Sequence, residues 1–130
     1  MVAVIGLHQE MGAEVKTLAS AAGLEVLSFP GMVAFLADER RSACSVVVLG
    51  VDTEAAETDG QLAVLRQHDA GLAVAAAGSR LPVATLTRLM RAGLLDYLVL
   101  PAPARTVAAW LVACRDLAQD RRTVRHKELE

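Results

Sequence analysis

Aromatic side chains are nearly missing from this chain: one Trp, one Tyr and two Phe, 3% of 130 residues. Its core must therefore be built from small and branched aliphatic side chains. Cysteine is also scarce. Cys44 and Cys114 stand far apart, which excludes a disulfide framework and any metal-ligand spacing. Reduced, buried thiols in a cytoplasmic protein are the expectation. No apolar run approaches the roughly 20 residues of a membrane helix, so no membrane partner is expected. The opening "MVAVIGLHQE" lacks a basic n-region, and no signal peptide is expected. Neither sign of charge prevails: 13 Lys and Arg face 15 Asp and Glu, net −2. That excludes direct nucleic-acid binding driven by charge alone. Gly-rich phosphate loops, nucleophile elbows and metal-ligand spacings are all absent, so no enzyme, metal or cofactor is expected.

What the chain has is apolar material, 54% of its residues, and a regular alternation. Five β-rich runs recur: "VAVIG" (2–6), "LEVLSF" (24–29), "SVVVLG" (45–50), "LAVAAA" (72–77) and "LDYLVL" (95–100). Several are apolar at nearly every position, as parallel strands covered on both faces are. The intervening segments carry helical spacing. Met11, Val15, Leu18 and Ala22 form one stripe; Val83, Leu86 and Met90 another; Val107, Trp110, Leu111, Cys114 and Ala118 a third. Gly23, Gly71 and Gly93 are placed to close helices, and Pro82 and Pro103 stand near helix starts. The pattern predicts an α/β domain over residues 1–120, with a five-stranded parallel sheet in the flavodoxin-like order 2-1-3-4-5 and helices on both faces. Residues 121–130 read as a helical extension or linker, and the closing Leu129-Glu130 is set aside as a tag scar. Any site belongs at the carboxyl ends of the strands, beside the switch point.

Three pieces at these spacings, "ASAAGLEVLSF", "DGQLAVLR" and "RAGLLDYLVLP", resemble the receiver domains of two-component signalling over about residues 2–120. The resemblance implies a phosphorylation pocket: an acidic Mg²⁺-binding pair after strand 1, a carboxylate acceptor on strand 3, a hydroxyl after strand 4 and a Lys after strand 5. The metal and the Lys would neutralise the transferring phosphoryl group. This chain departs from that pattern. The acidic pair falls on Gly6 and Leu7, the acceptor on Gly50, the hydroxyl on Gly78 with Ser79 next, and the Lys on Leu100. The switch-type aromatic of the last strand is matched by Tyr97, and the resemblance implies a cis peptide at Leu100-Pro101.

The implied function is that of a degenerate receiver, similar to the atypical N-terminal domains of NtrC-type activators or to those of pilus-assembly localisation proteins. It would act without phosphorylation, by protein–protein interaction or homodimerisation, coupled to a fused output domain. The expected pairing face comprises Arg88, Arg91, Ala92, Asp96, Ala109, Trp110 and Asp116. One alternative is a residually phosphorylatable receiver using Asp52, seven residues before Asp59-Gly60, with Glu10 and His8 as the nearest substitutes for the acidic pair. Another is a cobalamin-type cofactor domain. Its fingerprint needs an Asp where Gly6 stands and a Gly where Met11 stands, so nothing would orient His8 toward a metal.

Overall fold

The computed structural model describes residues 1–7, 12–51 and 57–129, with side chains up to residue 120. Strands and helices alternate in chain order: β1 (Val2–Ile5), α1 (Ala13–Ala21), β2 (Val26–Phe29), α2 (Met32–Ala37), a 3₁₀ turn (Glu39–Ala43), β3 (Val46–Val51), α3 (Thr58–His68), β4 (Ala73–Gly78), α4 (Val83–Arg91), β5 (Tyr97–Val99) and α5 (Ala104–Leu129). The strands form one sheet in the order β2-β1-β3-β4-β5, and every pairing is parallel. This is the predicted architecture.

The apolar runs read as they do because both faces of the sheet are covered. Val2, Val4, Val46, Val48, Ala75 and Ala77 face α1 and α5, where Val15, Ala19, Val107, Leu111, Cys114 and Ala118 meet them. Ala3, Ile5, Val47, Leu49, Val74 and Ala76 face the other way, onto Phe35, Leu62, Leu65 and Leu89 of α2, α3 and α4. Alternate residues of one strand thus serve two cores. The scarce aromatics are placed economically: Phe29 and Phe35 meet edge to face, with ring centroids 5.5 Å apart.

Several sequence expectations shift. Gly23 and Gly93 do end α1 and α4 with positive φ, but Gly71 does not end α3. That helix stops at His68, and the Asp69 carboxylate accepts a hydrogen bond from Gly71 N at 3.0 Å, an Asx-type turn that needs no left-handed residue. Pro82 is the residue before α4, where its missing N–H is harmless, and Pro103 stands just before α5. In α1 the residues facing the core are Val15 and Ala19; Leu18 and Ala22 are turned to the surface, and Met11 lies outside the described residues. In α4 the stripe Val83–Leu86–Met90 is not the core face. Leu89 is buried, while Val83 is 81% and Met90 42% exposed.

The long helix α5 is tied to the sheet at its edge. Asp96, just before β5, accepts a hydrogen bond from Trp110 Nε1 at 2.9 Å and another from Tyr97 N at 2.8 Å. Across the other sheet face, Arg66 of α3 donates to the carbonyl of Gly93 at 2.9 Å, satisfying an orphan acceptor beyond the end of α4.

Candidate functional site

At the carboxyl ends of β1, β3 and β4 an open cavity of about 320 Å³ is lined by Gly6, Leu7, Gly50, Val51, Glu57, Thr58, Gln61, Gly78 and Leu100. It sits where strand order reverses, between β1 and β3, as the fold requires of a ligand crevice. Five of the positions singled out in the sequence, Gly6, Leu7, Gly50, Gly78 and Leu100, are brought together here. The pairing register extends from Ile5↔Leu49 and Gly50↔Ala77, which sets Gly6 and Gly50 side by side on neighbouring strand ends. Asp52, His8 and Glu10 lie outside the described residues.

The cavity is shaped by close backbone approach. A Cβ on Gly50 would come within 2.8 Å of Gly6 O and 3.1 Å of Leu7 Cγ. A Cβ on Gly78 would overlap the Val51 carbonyl oxygen and approach the Tyr97 hydroxyl to 3.2 Å. Neither glycine has positive φ, so the requirement is space, not backbone conformation. An acidic or hydroxyl side chain has no room at either position without moving a strand. Leu7 is buried, and Leu100 packs onto the α1/α5 core from the far side of the cavity. Glu57 is the one ionisable side chain that lines the cavity among the described residues, and no cation lines it.

Tyr97 links this cavity to the β5 edge. Its hydroxyl donates to the carbonyl of Ser79 at 2.5 Å, next to Gly78. Burial pushes its pKa above the ordinary tyrosine value. Ser79 thus contributes a backbone acceptor. The Leu100-Pro101 peptide is cis, as the resemblance implies. Among the described residues no cluster of His, Cys, Asp or Glu could hold a metal ion, and no helix is long and apolar enough to cross a membrane.

The residues of the expected pairing face fall on different flanks of their elements. Arg88 reaches across to Asp59 of α3, Nη2 to Oδ2 at 3.0 Å, so that flank of α4 faces α3. With about 100° of rotation per residue, Val83, Leu86 and Met90 occupy the opposite flank, toward the β5 edge of the sheet. In α5, Ala109 borders a groove against α1 with Leu18, Ala22, Arg105, Ala108 and Val112. Asp116 follows Ala109 by seven residues and shares its flank, where it is paired with Arg115 at 3.2 Å. Trp110 and, seven residues on, Leu117 lie on the other flank, beside β5. Asp96 is engaged by Trp110 and Tyr97 and is not free to answer a partner's arginine. Ala92 lies at the exposed end of α4, and the Arg91 side chain makes no hydrogen bond or ion pair to any described residue. The face on this edge is therefore mostly apolar: Val83, Leu86 and Met90 of α4, Val99 of β5 (43% exposed), Trp110 and Leu117 of α5 (46% exposed). Of these six, only Trp110 was among the residues of the expected pairing face; the other five were not anticipated there, because helical or strand spacing reads equally well as core.

Thr58, Glu57 and Gln61 were also missed in the cavity wall. The "TDGQ" that opens α3 was their only signal: it places a Thr at the first helical position, where its side chain can turn inward.

No protein-family model and no curated protein sequence matches the chain. The fold is that of receiver domains in solved structures. A response regulator from Thermotoga maritima superposes with a TM-score of 0.75 at 17% identity, covering 88% of this chain and 96% of that one. The signal receiver domain of a putative LuxO repressor protein from Vibrio parahaemolyticus gives 0.75 at 15% identity, covering 95% of each chain. NtrX from Brucella abortus gives 0.77 at 17% identity over 99% of this chain, which spans only 29% of the NtrX chain.

Proposed function

We propose that this domain is a receiver-like regulatory module that works without phosphorylation and transmits its state by protein–protein association. The observation that carries the reading is the cavity wall: glycines at Gly50 and Gly78, where a carboxylate or hydroxyl would not fit, and Leu100 where a cation is needed. A phosphoryl group in transfer carries charge that fixed cations must help to offset, and among the described residues of this wall none is a cation.

The association surface is the β5 edge with its flanking helices, and the partner is a second copy of the chain. An exposed apolar set drawn from three adjacent elements supports this, since apolar side chains supply the affinity of an interface centre while exposed ion pairs add only about 0–1 kcal/mol. Tyr97, fixed by its bond to Ser79, joins the cavity to this surface and holds it in one arrangement. Residues 121–129 continue α5 as an extension toward a fused output domain. The NtrX chain, of which this domain spans less than a third, is a precedent in length for such a fusion.

The test is an NMR titration of the labelled chain with Mg²⁺ and acetyl phosphate or beryllofluoride. No saturable shift is expected at Gly50, Gly78 or Ser79. A saturable response that disappears in Asp52→Asn would replace this reading with a phosphorylatable receiver.

A further inference from the structure

A second cavity, of about 250 Å³, opens at the other end of the sheet, beside the amino-terminal ends of β3 and β4. It lies between α2 with its 3₁₀ turn and the end of α3. Its inner wall is apolar: Phe35, Leu65 and Leu72 are 2%, 0% and 8% exposed. Arg41 stands at the rim, where its Nη1 donates to the carbonyl of Leu36, also a lining residue, at 2.5 Å. That carbonyl belongs to the last turn of α2, whose acceptors lack intrahelical donors. The contact therefore fixes the guanidinium without neutralising it. The neighbouring Asp38 carboxylate is taken by Arg40, which donates from Nε at 3.0 Å and from Nη2 at 2.9 Å. Among the described residues no carboxylate pairs with Arg41. Asp69 also lines the cavity, with one oxygen accepting from Gly71 N at 3.0 Å. Arg41 thus keeps its charge and its remaining donors beside an apolar wall.

We propose that this cavity binds a small carboxylic acid with an apolar body, as its anion. The carboxylate accepts from the N–H groups of Arg41 that Leu36 leaves over, and the planar guanidinium suits two carboxylate oxygens. The apolar body lies against Phe35, Leu65 and Leu72 and leaves water as it does so. Charge decides the class. An amine would be repelled by Arg41, and a neutral body would cover guanidinium N–H groups without pairing them. Asp69 opposes the anion from the rim, so removing its charge should strengthen binding. The volume is a little under the roughly 300–1,000 Å³ of small-molecule pockets, which limits the ligand to the size of a single ring with its carboxylate. The site goes beyond the association proposed above and does not depend on it, since it uses no residue at the carboxyl ends of the strands.

The experiment titrates the ¹⁵N-labelled full chain with sodium benzoate, up to about 20 mM because so small a ligand binds weakly. A parallel sample receives benzamide, which has the same shape without the charge. Benzoate should cause saturable shifts centred on Phe35, Arg41, Ser42, Leu65 and Leu72, and benzamide should bind about tenfold more weakly or not at all. Arg41→Gln, which can still donate to the Leu36 carbonyl, should lose about tenfold in benzoate affinity. Asp69→Asn, which keeps the acceptor for Gly71 N, should gain about two- to fivefold. If Arg41→Gln does not fold, the comparison of benzoate with benzamide on the parent chain decides. Absence of saturable benzoate shifts, shifts centred elsewhere, benzamide binding as well as benzoate, or weaker binding by Asp69→Asn would overturn the proposal.

Discussion

Replacing Gly78 by Ala adds one methyl group at the end of β4, and its effect can be worked from geometry. The Ala methyl would overlap the Val51 carbonyl oxygen and lie 2.9 Å from Val51 C. Real Cβ–O contacts are no closer than about 3 Å, so the ends of β3 and β4 would have to part by about 1 Å. Gly78 lies opposite Val51 in the ladder, and Gly78 O accepts from Leu100 N at 2.7 Å, so the displacement strains pairing on both sides. Overpacking of this kind costs about 1–3 kcal/mol and occasionally more. A backbone obstacle that cannot rotate away puts Gly78→Ala at the upper end. The lower unfolded-state entropy of Ala returns about 0.4–1 kcal/mol. The net expectation is a loss of about 2–3 kcal/mol, or about 6–12 °C in Tm for a domain of this size. Gly50→Ala meets a milder obstacle, 2.8 Å from Gly6 O and 3.1 Å from Leu7 Cγ, so its net loss should be smaller, about 1 kcal/mol. Urea denaturation followed by Trp110 fluorescence would measure both. If Gly78→Ala is as stable as the parent, or if Gly50→Ala is the more damaging of the two, the steric account of this cavity is wrong. The same geometry argues against restoring phosphate chemistry by substituting Asp at Gly50 and Thr at Gly78.

Association should be weakened more by Met90→Glu or Leu117→Glu than by Ala109→Glu, which faces α1; light scattering over a dilution series would show it, and equal effects would move the interface elsewhere. Asp96→Asn should cost about 1–2 kcal/mol and change the Trp110 emission, because it weakens a charge-assisted hydrogen bond at a half-buried site; an unchanged emission maximum would argue against the bond in solution. Burial, with Asp96 nearby, pushes the Cys114 thiol from 9.0 up to about 12. The folded state then keeps a proton that the unfolded state releases, so this contribution to stability is full below about pH 9. It declines by about 1.4 kcal/mol per pH unit toward pH 12, and a Cys114→Ala variant should lose that part of the alkaline slope in denaturation curves.

The amino-acid sequence by itself determined the five strands and their parallel character, because residues buried on both faces must be apolar at nearly every position; their order was expected from the usual arrangement of five such strands, not from the apolar pattern. It also showed which residues stand where a receiver's phosphorylation groups would. Gly50, Gly78 and Leu100 can be read at their strand ends, and no arrangement of those side chains supplies a carboxylate or a cation. Strand lengths were read only approximately: β5 is Tyr97–Val99, since pairing with β4 stops where the chain turns at Leu100. Which flank of each helix meets which neighbour was left to tertiary structure. The period of an apolar stripe is the same for a core and for a docking face, so Val83, Leu86 and Met90 looked like core residues until Arg88 was seen to reach α3 and Leu89 to face the sheet. Ala109 and Asp116 were likewise turned toward α1 by the way α5 lies across the sheet. Thr58 carried no mark of burial in the sequence. It lines a cavity only because Gly6, Gly50 and Gly78, from separate strand ends, converge beside the start of α3, a long-range juxtaposition that no local pattern encodes.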